Sequence, residues 1–267
     1  MAVFSAASIT LGWTVSAHHA GGSHLARFTY GIGWALWTGA VAYAMYLALE
    51  PFIRRKIPGL LVSSARLLTG RWRDPLVGRD ILVGIAASAC VPIVVLLFSL
   101  TCQLRTGTSC DLDSPVATSL QSLGLLSSNM LYQLVLWGVL GSLMQASVFC
   151  FLIVILRRRM WAILSLLLLY SALYTVFFDR GVIVAELVGA VGLASVVTVL
   201  LVRFGLLTVF AYISSAFCYS LPVTLRGDAW YAVHAYTVAA LMLGVAVVAY
   251  RIACAGQRLL KDELSAS

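Results

Sequence analysis

Uncharged apolar runs of membrane-spanning length recur along the chain, and they restrict its fold more than any motif does. The run at residues 81–101 contains no charged residue, and about 20 apolar residues suffice for a helix to cross the hydrocarbon of a bilayer. Only 10% of all residues are charged, whereas a soluble domain carries about 25%. These charges are too few to cover a soluble globule, so the sequence predicts an all-α, polytopic bundle of transmembrane helices.

Seven of these runs are clear and an eighth is doubtful, so we expect seven or eight spans in one integral membrane domain covering residues 1–267. The clear runs are residues 28–53, 81–101, 129–156, 161–178, 182–202, 204–221 and 230–250. Residues 1–17 are apolar but short. They fit either a further span or a signal peptide, because Val15-Ser16-Ala17 resembles a cleavage site although no Lys or Arg stands at the start.

The island, residues 54–80, is a basic stretch between two long apolar runs. It holds seven of the eighteen Lys and Arg residues against two Asp residues, a net charge of +5. Basic loops beside apolar segments stay on the cytoplasmic side, so we expect a cytoplasmic island. Alternation then places the loop at 102–128 outside, and the Arg157–Arg159 turn, Arg203 and the tail from Arg251 inside. The sequence therefore predicts a multi-pass membrane protein with a cytoplasmic C-terminus.

Charged residues within the island form a candidate structural motif or docking site for a cytoplasmic partner. They are Arg71, Arg73, Asp74, Arg79 and Asp80. Asp74-Pro75 predicts a helix start, because Asp caps free amides and Pro fits the first helical position. We expect ion pairs of Arg73 with Asp74 and of Arg79 with Asp80.

The partners expected for the island follow from where its charges stand. Arg66 and Arg73 are suited to contact lipid phosphates, as in an interfacial helix, so anionic headgroups of the bilayer are an expected partner. The basic residues of the whole chain stand at the ends of apolar runs and do not form a stripe that could follow a phosphate backbone. Nucleic acid is therefore not an expected partner.

Two carboxylates near the bilayer interior, Glu50 and Glu186, are candidate intramembrane polar sites. An intramembrane acid is a functional hypothesis by default. However, Glu50 directly precedes Pro51 and a basic cluster, which favours an ion pair, and Arg180 is near enough to pair with Glu186. Structural roles are favoured for both, and a functional role stays open.

Cys102 and Cys110 share the outer loop and form a candidate disulfide. Their spacing permits a bridge in an oxidising periplasm, with two free thiols as the alternative. The cluster of His18, His19 and His24 stands in a Gly-rich stretch with neither Cys nor acidic partners. We therefore expect neither a metal site nor a bound cofactor.

Several stretches together form a recognisable pattern. They are residues 46–55 (YLALEPFIRR), 66–71 (RLLTGR), 73–80 (RDPLVGRD), 203–207, 221–224, 230–232 and 255–257. The pattern resembles the multi-pass C-terminal membrane region of a group of bacterial serine/threonine protein kinases. The resemblance implies a membrane-anchoring or sensory region that works with a kinase domain in cis or in trans.

The chain lacks the catalytic motifs of those kinases. It has no His-Arg-Asp loop, no Asp-Phe-Gly and no strand Lys in a Val-Ala-Ile-Lys context. We therefore expect a non-catalytic role in kinase signalling and no enzyme activity. The alternative is a small transporter or permease, which is less favoured because the spans lack paired acids and matching broken helices in two halves.

Overall fold

Every element described by the computed structural model is a helix, which confirms the all-α prediction for residues 24–106, 134–178, 183–218 and 232–254. The α-helices are α1 (His24–Lys56), α2 (Val62–Leu68), α3 (Pro75–Ser88), α4 (Cys90–Thr106), α5 (Ser142–Leu156), α6 (Arg159–Phe178), α7 (Ile183–Arg203), α8 (Leu206–Cys218) and α9 (Ala232–Cys254). A 3₁₀ helix at Pro58–Leu61 precedes α2, and a π-helix at Leu134–Gly141 leads directly into α5.

Three stretches of the described residues are long and apolar enough to cross a membrane: Leu36–Ile53, Pro75–Val94 and Trp137–Leu156. Shorter apolar helices accompany them. Large apolar side chains such as Leu168 and Leu243 are 70% and 67% exposed, whereas Asp80 and Thr208 are fully buried. A soluble monomer rarely exposes so much apolar surface. This distribution indicates a protein associated with a membrane.

The apolar run at 81–101 contains two helices. Helix α3 begins at Pro75, capped by Asp74, so the predicted helix start is confirmed. It ends at Ser88, and α4 begins at Cys90. The interruption at Ala89 lies three residues before Pro92. The Pro92 ring has no N–H to donate, and it conflicts with the carbonyl of Ser88, four residues earlier.

The connection between α5 and α6 is the tight turn that the sequence predicts. Only Arg157 and Arg158 separate the two helices. Arg157 adopts a left-handed conformation with φ of 52°, and its N–H donates to the carbonyl of Ile153 at 3.0 Å. This geometry reverses the chain at once and leaves three consecutive arginines exposed.

Helix α3 packs closely against α8 and α9. A Cβ placed on Gly84 would lie 2.6 Å from the Thr208 carbonyl oxygen of α8, and one on Gly78 would lie 2.6 Å from the Ala249 carbonyl oxygen of α9. Small residues permit such backbone approach, which is common between membrane helices. The core beside these contacts includes the buried side chains Phe149, Leu166, Leu201 and Val209.

Some predictions fall outside the described residues. They concern residues 1–17, the outer loop from residue 107 with Cys110, and the tail from residue 255. The disulfide between Cys102 and Cys110 therefore stays a prediction, as does a span or signal peptide at the start of the chain.

Candidate functional site at the basic end

The island is an ordered structure, and its first corner is the end of α2. Gly70 has φ of +83°, a conformation that glycine adopts without steric cost. Its N–H donates to the Leu67 carbonyl at 3.1 Å, and the Arg71 N–H donates to the Arg66 carbonyl at 2.9 Å. These two bonds form the left-handed helix end known as a Schellman motif, and they turn the chain back towards α2.

This turn brings Asp74 beside α2. One Asp74 carboxylate oxygen accepts from the Leu76 N–H at 3.0 Å, capping α3, and the other accepts from Arg66 Nη1 at 2.7 Å. The Leu76 N–H, and after it the Arg66 guanidinium, hold the pKa of Asp74 below its ordinary value. Asp74 thereby joins the two helices of the island.

Asp80 lies deeper, with a fully buried side chain. One of its oxygens accepts from the Ser63 hydroxyl of α2. The other accepts from Arg79 Nε at 3.0 Å and Nη2 at 2.8 Å. A buried carboxylate is tolerated where it is paired and fully hydrogen-bonded, and Asp80 meets both conditions. Its contacts tie α2 to α3 a second time.

The inner side of the island rests on the turn between α7 and α8. The Arg79 guanidinium carbon lies 5.8 Å from the centre of the Phe204 ring, within cation–π distance. Gly205 has φ of +103°, and a Cβ there would lie 2.7 Å from the Leu60 carbonyl oxygen. The island is therefore held directly against the helix bundle.

Other basic connections meet at the same end of the bundle. Arg159 Nη2 lies 3.4 Å from the carbonyl oxygen of Val202, near the end of α7. Gly78 of the island packs against Ala249 and Ala253, at the C-terminal end of α9. We call this region the basic end: the island, the Arg157–Arg159 turn, Arg203 and the last turns of α9 with Arg251.

The structure pairs the predicted site residues differently from the sequence-based expectation. Arg79 binds Asp80. Asp74 binds Arg66, whereas Arg73 lies over the Trp72 ring with its guanidinium carbon 4.5 Å from the ring centre. Arg66 is thus engaged within the island and is not the free phosphate contact that its position in the sequence suggested.

Sequence reasoning missed Ser63, Phe204 and Gly205 as parts of this site. Ser63 carries no motif, and its distance from Asp80 in sequence gives no local signal. Gly205 follows Phe204 between two apolar runs, and such a glycine indicates a turn, but nothing in the sequence identifies the island as its neighbour.

The two candidate intramembrane carboxylates lie on α1 and α7. Glu50 lies in α1 next to Pro51 and is half-buried. Glu186 lies in the first turn of α7, and its neighbour Arg180 is outside the described residues. No group of three His, Cys, Asp or Glu side chains with metal-binding geometry occurs within the described part of the chain.

The bundle interior holds buried polar atoms that the sequence did not indicate. Gln145 Oε1, the Tyr170 hydroxyl and Thr198 Oγ1 make no hydrogen bond with the protein among the described residues. Gln145 and Tyr170 lie on the neighbouring helices α5 and α6, which pack together. Buried polar atoms are usually paired, so these oxygens are unusual features of two otherwise largely apolar helices.

Comparison of the chain with protein-family models, with curated proteins and with solved structures gives no match. The functional argument therefore rests on the geometry of the basic end.

Proposed function

We propose that the chain is a polytopic region of the bacterial inner membrane, with seven or eight spans, that anchors and regulates a serine/threonine kinase domain in cis or in trans. The observation that carries this proposal is the basic end. The island and the Arg157–Arg159 turn meet there with Arg203 and the last turns of α9, and the island is folded and fastened to the bundle. The chain's own role is non-catalytic in this proposal.

The positive-inside tendency supports a cytoplasmic basic end. Lys and Arg beside membrane helices remain on the cytoplasmic side, and the island, the Arg157–Arg159 turn and Arg251 meet at one end of the bundle. Under this proposal the C-terminus is cytoplasmic, on the side where a kinase finds ATP. The resemblance of residues 66–80 to kinase-linked membrane regions points to the same class of partner.

The attachment of the island offers a route from the membrane to that partner. Helix α3 touches α8 at Gly84 and α9 at Gly78. It is capped by Asp74 and carries Arg79 and Asp80. Because packed backbones cannot slide past one another without displacing a neighbour, a shift of α8 or α9 moves the island too. A signal sensed in the bundle would reach a docked kinase through this contact.

In-cell photo-cross-linking tests this function. We place a photoreactive residue at Thr69 or at Arg158, two exposed positions of the basic end, and use Leu168 on the apolar surface as the control. We expect adducts at Thr69 and Arg158 that contain the catalytic loop of a serine/threonine kinase, and none at Leu168. Absence of kinase peptides from both basic positions, in cells that express the chain normally, would contradict the proposal.

A phosphorylation assay tests the non-catalytic role separately. The purified chain, incubated with labelled ATP and a general protein substrate, should transfer no phosphate. Transfer that persists after removal of every co-purifying kinase would show that the chain is itself an enzyme.

One observation favours the alternative of a small transporter. Gln145 on α5 and Tyr170 on α6 carry buried oxygens that form no hydrogen bond within the described part of the chain, and the π-helix at Leu134–Gly141 directly precedes α5. π-Helical segments are frequent at functional sites. A panel of small polar solutes that raises the melting temperature of the wild type but not of Tyr170→Phe would support this alternative.

A further inference from the structure

Five exposed residues between the start of α2 and the cap of α3 form what we call the Trp72 surface. Its members are Val62, Leu68, Arg71, Trp72 and Arg73. Trp72 is 50% exposed and Leu68 is 46% exposed, and both arginines are exposed. The surface therefore combines apolar side chains, an indole and two positive charges.

The positive charge of this surface is in excess. Both carboxylates of the island are engaged within it, because Asp74 binds Arg66 and Asp80 binds Arg79. Arg73 lies over the Trp72 ring, and an arginine stacked on an aromatic ring keeps its N–H donors free at the edge. Arg71 and Arg73 thus present donors suited to a phosphate.

The fold also fixes this surface near the membrane boundary. One candidate span ends at Ile53, directly before the island, and the next begins at Pro75 within it. Trp72 therefore lies three residues before the second span begins. Its middle is held against the bundle where Leu60 meets Gly205. The chain around Trp72 is consequently held close to the layer in which lipid headgroups lie.

We infer that the Trp72 surface binds the phosphate groups of anionic lipids in the same leaflet. Arg71 and Arg73 contact phosphates, Trp72 occupies the headgroup layer, and Val62 and Leu68 face the upper acyl region. Tryptophan concentrates at this depth because its ring is apolar and its N–H is polar. Exposed apolar residues beside the arginines favour a lipid over an acidic protein segment, which would leave Val62 and Leu68 in water.

This inference rests on the membrane topology in the proposed function and is independent of the kinase. It also reassigns the phosphate contacts within the island. Arg66 and Arg79 bind carboxylates of the island. Arg71 and Arg73, in the turn between α2 and α3, contact the lipid phosphates instead.

Depth measurement by spin labelling is the first test. A nitroxide at Thr69→Cys, in an otherwise cysteine-free chain, is compared in nanodiscs of phosphatidylglycerol and of phosphatidylcholine. We expect oxygen and nickel accessibilities typical of the headgroup layer in phosphatidylglycerol and a shallower position in phosphatidylcholine. A label in bulk water in both lipids would overturn the inference. Labels at Leu168 and Leu241 report whether the bundle is in the membrane at all, so failure of the topology is distinguished from failure of the lipid site.

Lipid preference is the second test. Native mass spectrometry measures how strongly the protein retains phosphatidylglycerol over phosphatidylcholine. We expect Arg71→Gln/Arg73→Gln to weaken this preference about thirty-fold, roughly five-fold for each arginine. The matched control is Arg157→Gln/Arg158→Gln, which removes two exposed charges at the same end of the bundle but outside the Trp72 surface. This control should weaken the preference for phosphatidylglycerol less.

Equal losses in both double variants would show general attraction to anionic lipid and refute a specific surface. If the label at Thr69→Cys becomes shielded only when an acidic cytoplasmic protein is added, the surface is a protein-docking site and the lipid inference is wrong.

Discussion

The island and the Arg157–Arg159 turn are both basic connections between apolar helices, yet they differ in how the protein uses their charges. In the island, Arg66 binds Asp74 and Arg79 binds Asp80. The two carboxylates hold α3 against α2 through Arg66 and the Ser63 hydroxyl. In the turn all three arginines are exposed, and Arg159 makes a long contact of 3.4 Å with the Val202 carbonyl of α7.

The comparison separates two functions of basic residues in a membrane protein. Charges that only fix orientation need to be present on the correct side, so their side chains can remain in water. Charges that also hold a structure need partners at fixed distances, and replacing them changes the fold of the loop. Composition alone does not distinguish the two cases, but the geometry of Asp74 and Asp80 does.

The largest effect is expected in a topology experiment, because its outcome is all or none. Single cysteines at Thr69 and Arg158, both exposed, should resist an impermeant thiol reagent in intact cells and react after permeabilisation. Ser64 is a poor reporter because it is buried and its hydroxyl bonds to the Leu61 carbonyl. Labelling of one position and protection of the other in intact cells would show that the two basic connections lie on opposite sides of the membrane, and the comparison would then be wrong.

The next largest effect concerns the contact that fastens the island to the bundle. Gly205→Ala should lower the free energy of unfolding by about 2–3 kcal/mol, because the new Cβ meets the Leu60 carbonyl and φ is positive. Unfolding by denaturant in mixed micelles measures this change. Gly192→Ala is the control, since nothing lies within 4 Å of its Cβ position. Equal stability of the two variants would show that the island is not fastened there.

Replacement of the buried carboxylate gives a somewhat smaller effect. Asp80→Ala should destabilise the protein by about 2 kcal/mol, since Ser63 and Arg79 lose a hydrogen-bonded partner. The same unfolding assay applies. Arg158→Gln, which removes an exposed charge from the other connection, should change stability by less than about 0.5 kcal/mol. A cost at Arg158 that matches the cost at Asp80 would remove the distinction between the two regions.

A small gain is expected at the turn itself. Arg157 has φ of 52°, and a side chain adds steric cost in this conformation that glycine lacks. Arg157→Gly should therefore leave stability unchanged or raise it by about 0.5 kcal/mol, after allowing for the greater freedom of glycine in the unfolded chain. A clear loss of stability would indicate that the Arg157 side chain has a structural partner.

The smallest effect is a pH dependence at the start of α3. The pKa of folded Asp74 lies below its ordinary value of 3.8, so its contribution is fully present above that value and is lost as the pH falls through the folded pKa. Amide hydrogen exchange at Leu76 should accelerate, after correction for intrinsic rates, only in that acidic range. Asp74→Asn keeps a capping oxygen but cannot titrate, so its corrected exchange should be independent of pH there. A parallel acceleration in this variant would assign the effect to another group.

Much of the helical fold follows from the sequence, because a bilayer restricts spanning segments strongly. The apolar runs predict the positions of α5, α6 and α7 to within a few residues, except at the start of α5, where the π-helix at Leu134–Gly141 takes the first part of the run. Asp74-Pro75 predicts the start of α3 because capping is a local property. Pro92 is consistent with the break at Ala89, but the residues around it form one continuous apolar run, which predicted a single helix.

The candidate site was only partly predictable, because its main contacts are not local. The Arg79–Asp80 pair joins neighbouring residues, whereas the Arg66–Asp74 pair depends on the left-handed turn at Gly70. The contact of Gly205 with Leu60 depends on how distant helices pack. Such packing is set by shape along whole helices, which residue patterns within one segment do not specify.

The glycine contacts of α3 have a consequence for biosynthesis. The helices that receive Gly84 and Gly78, α8 and α9, are the last two described helices to leave the ribosome. While the intervening helices are made, α3 lacks these partners, and the Leu60 carbonyl has not yet met Gly205. The island can therefore complete its contacts with the bundle only after α8 and α9 have been synthesised.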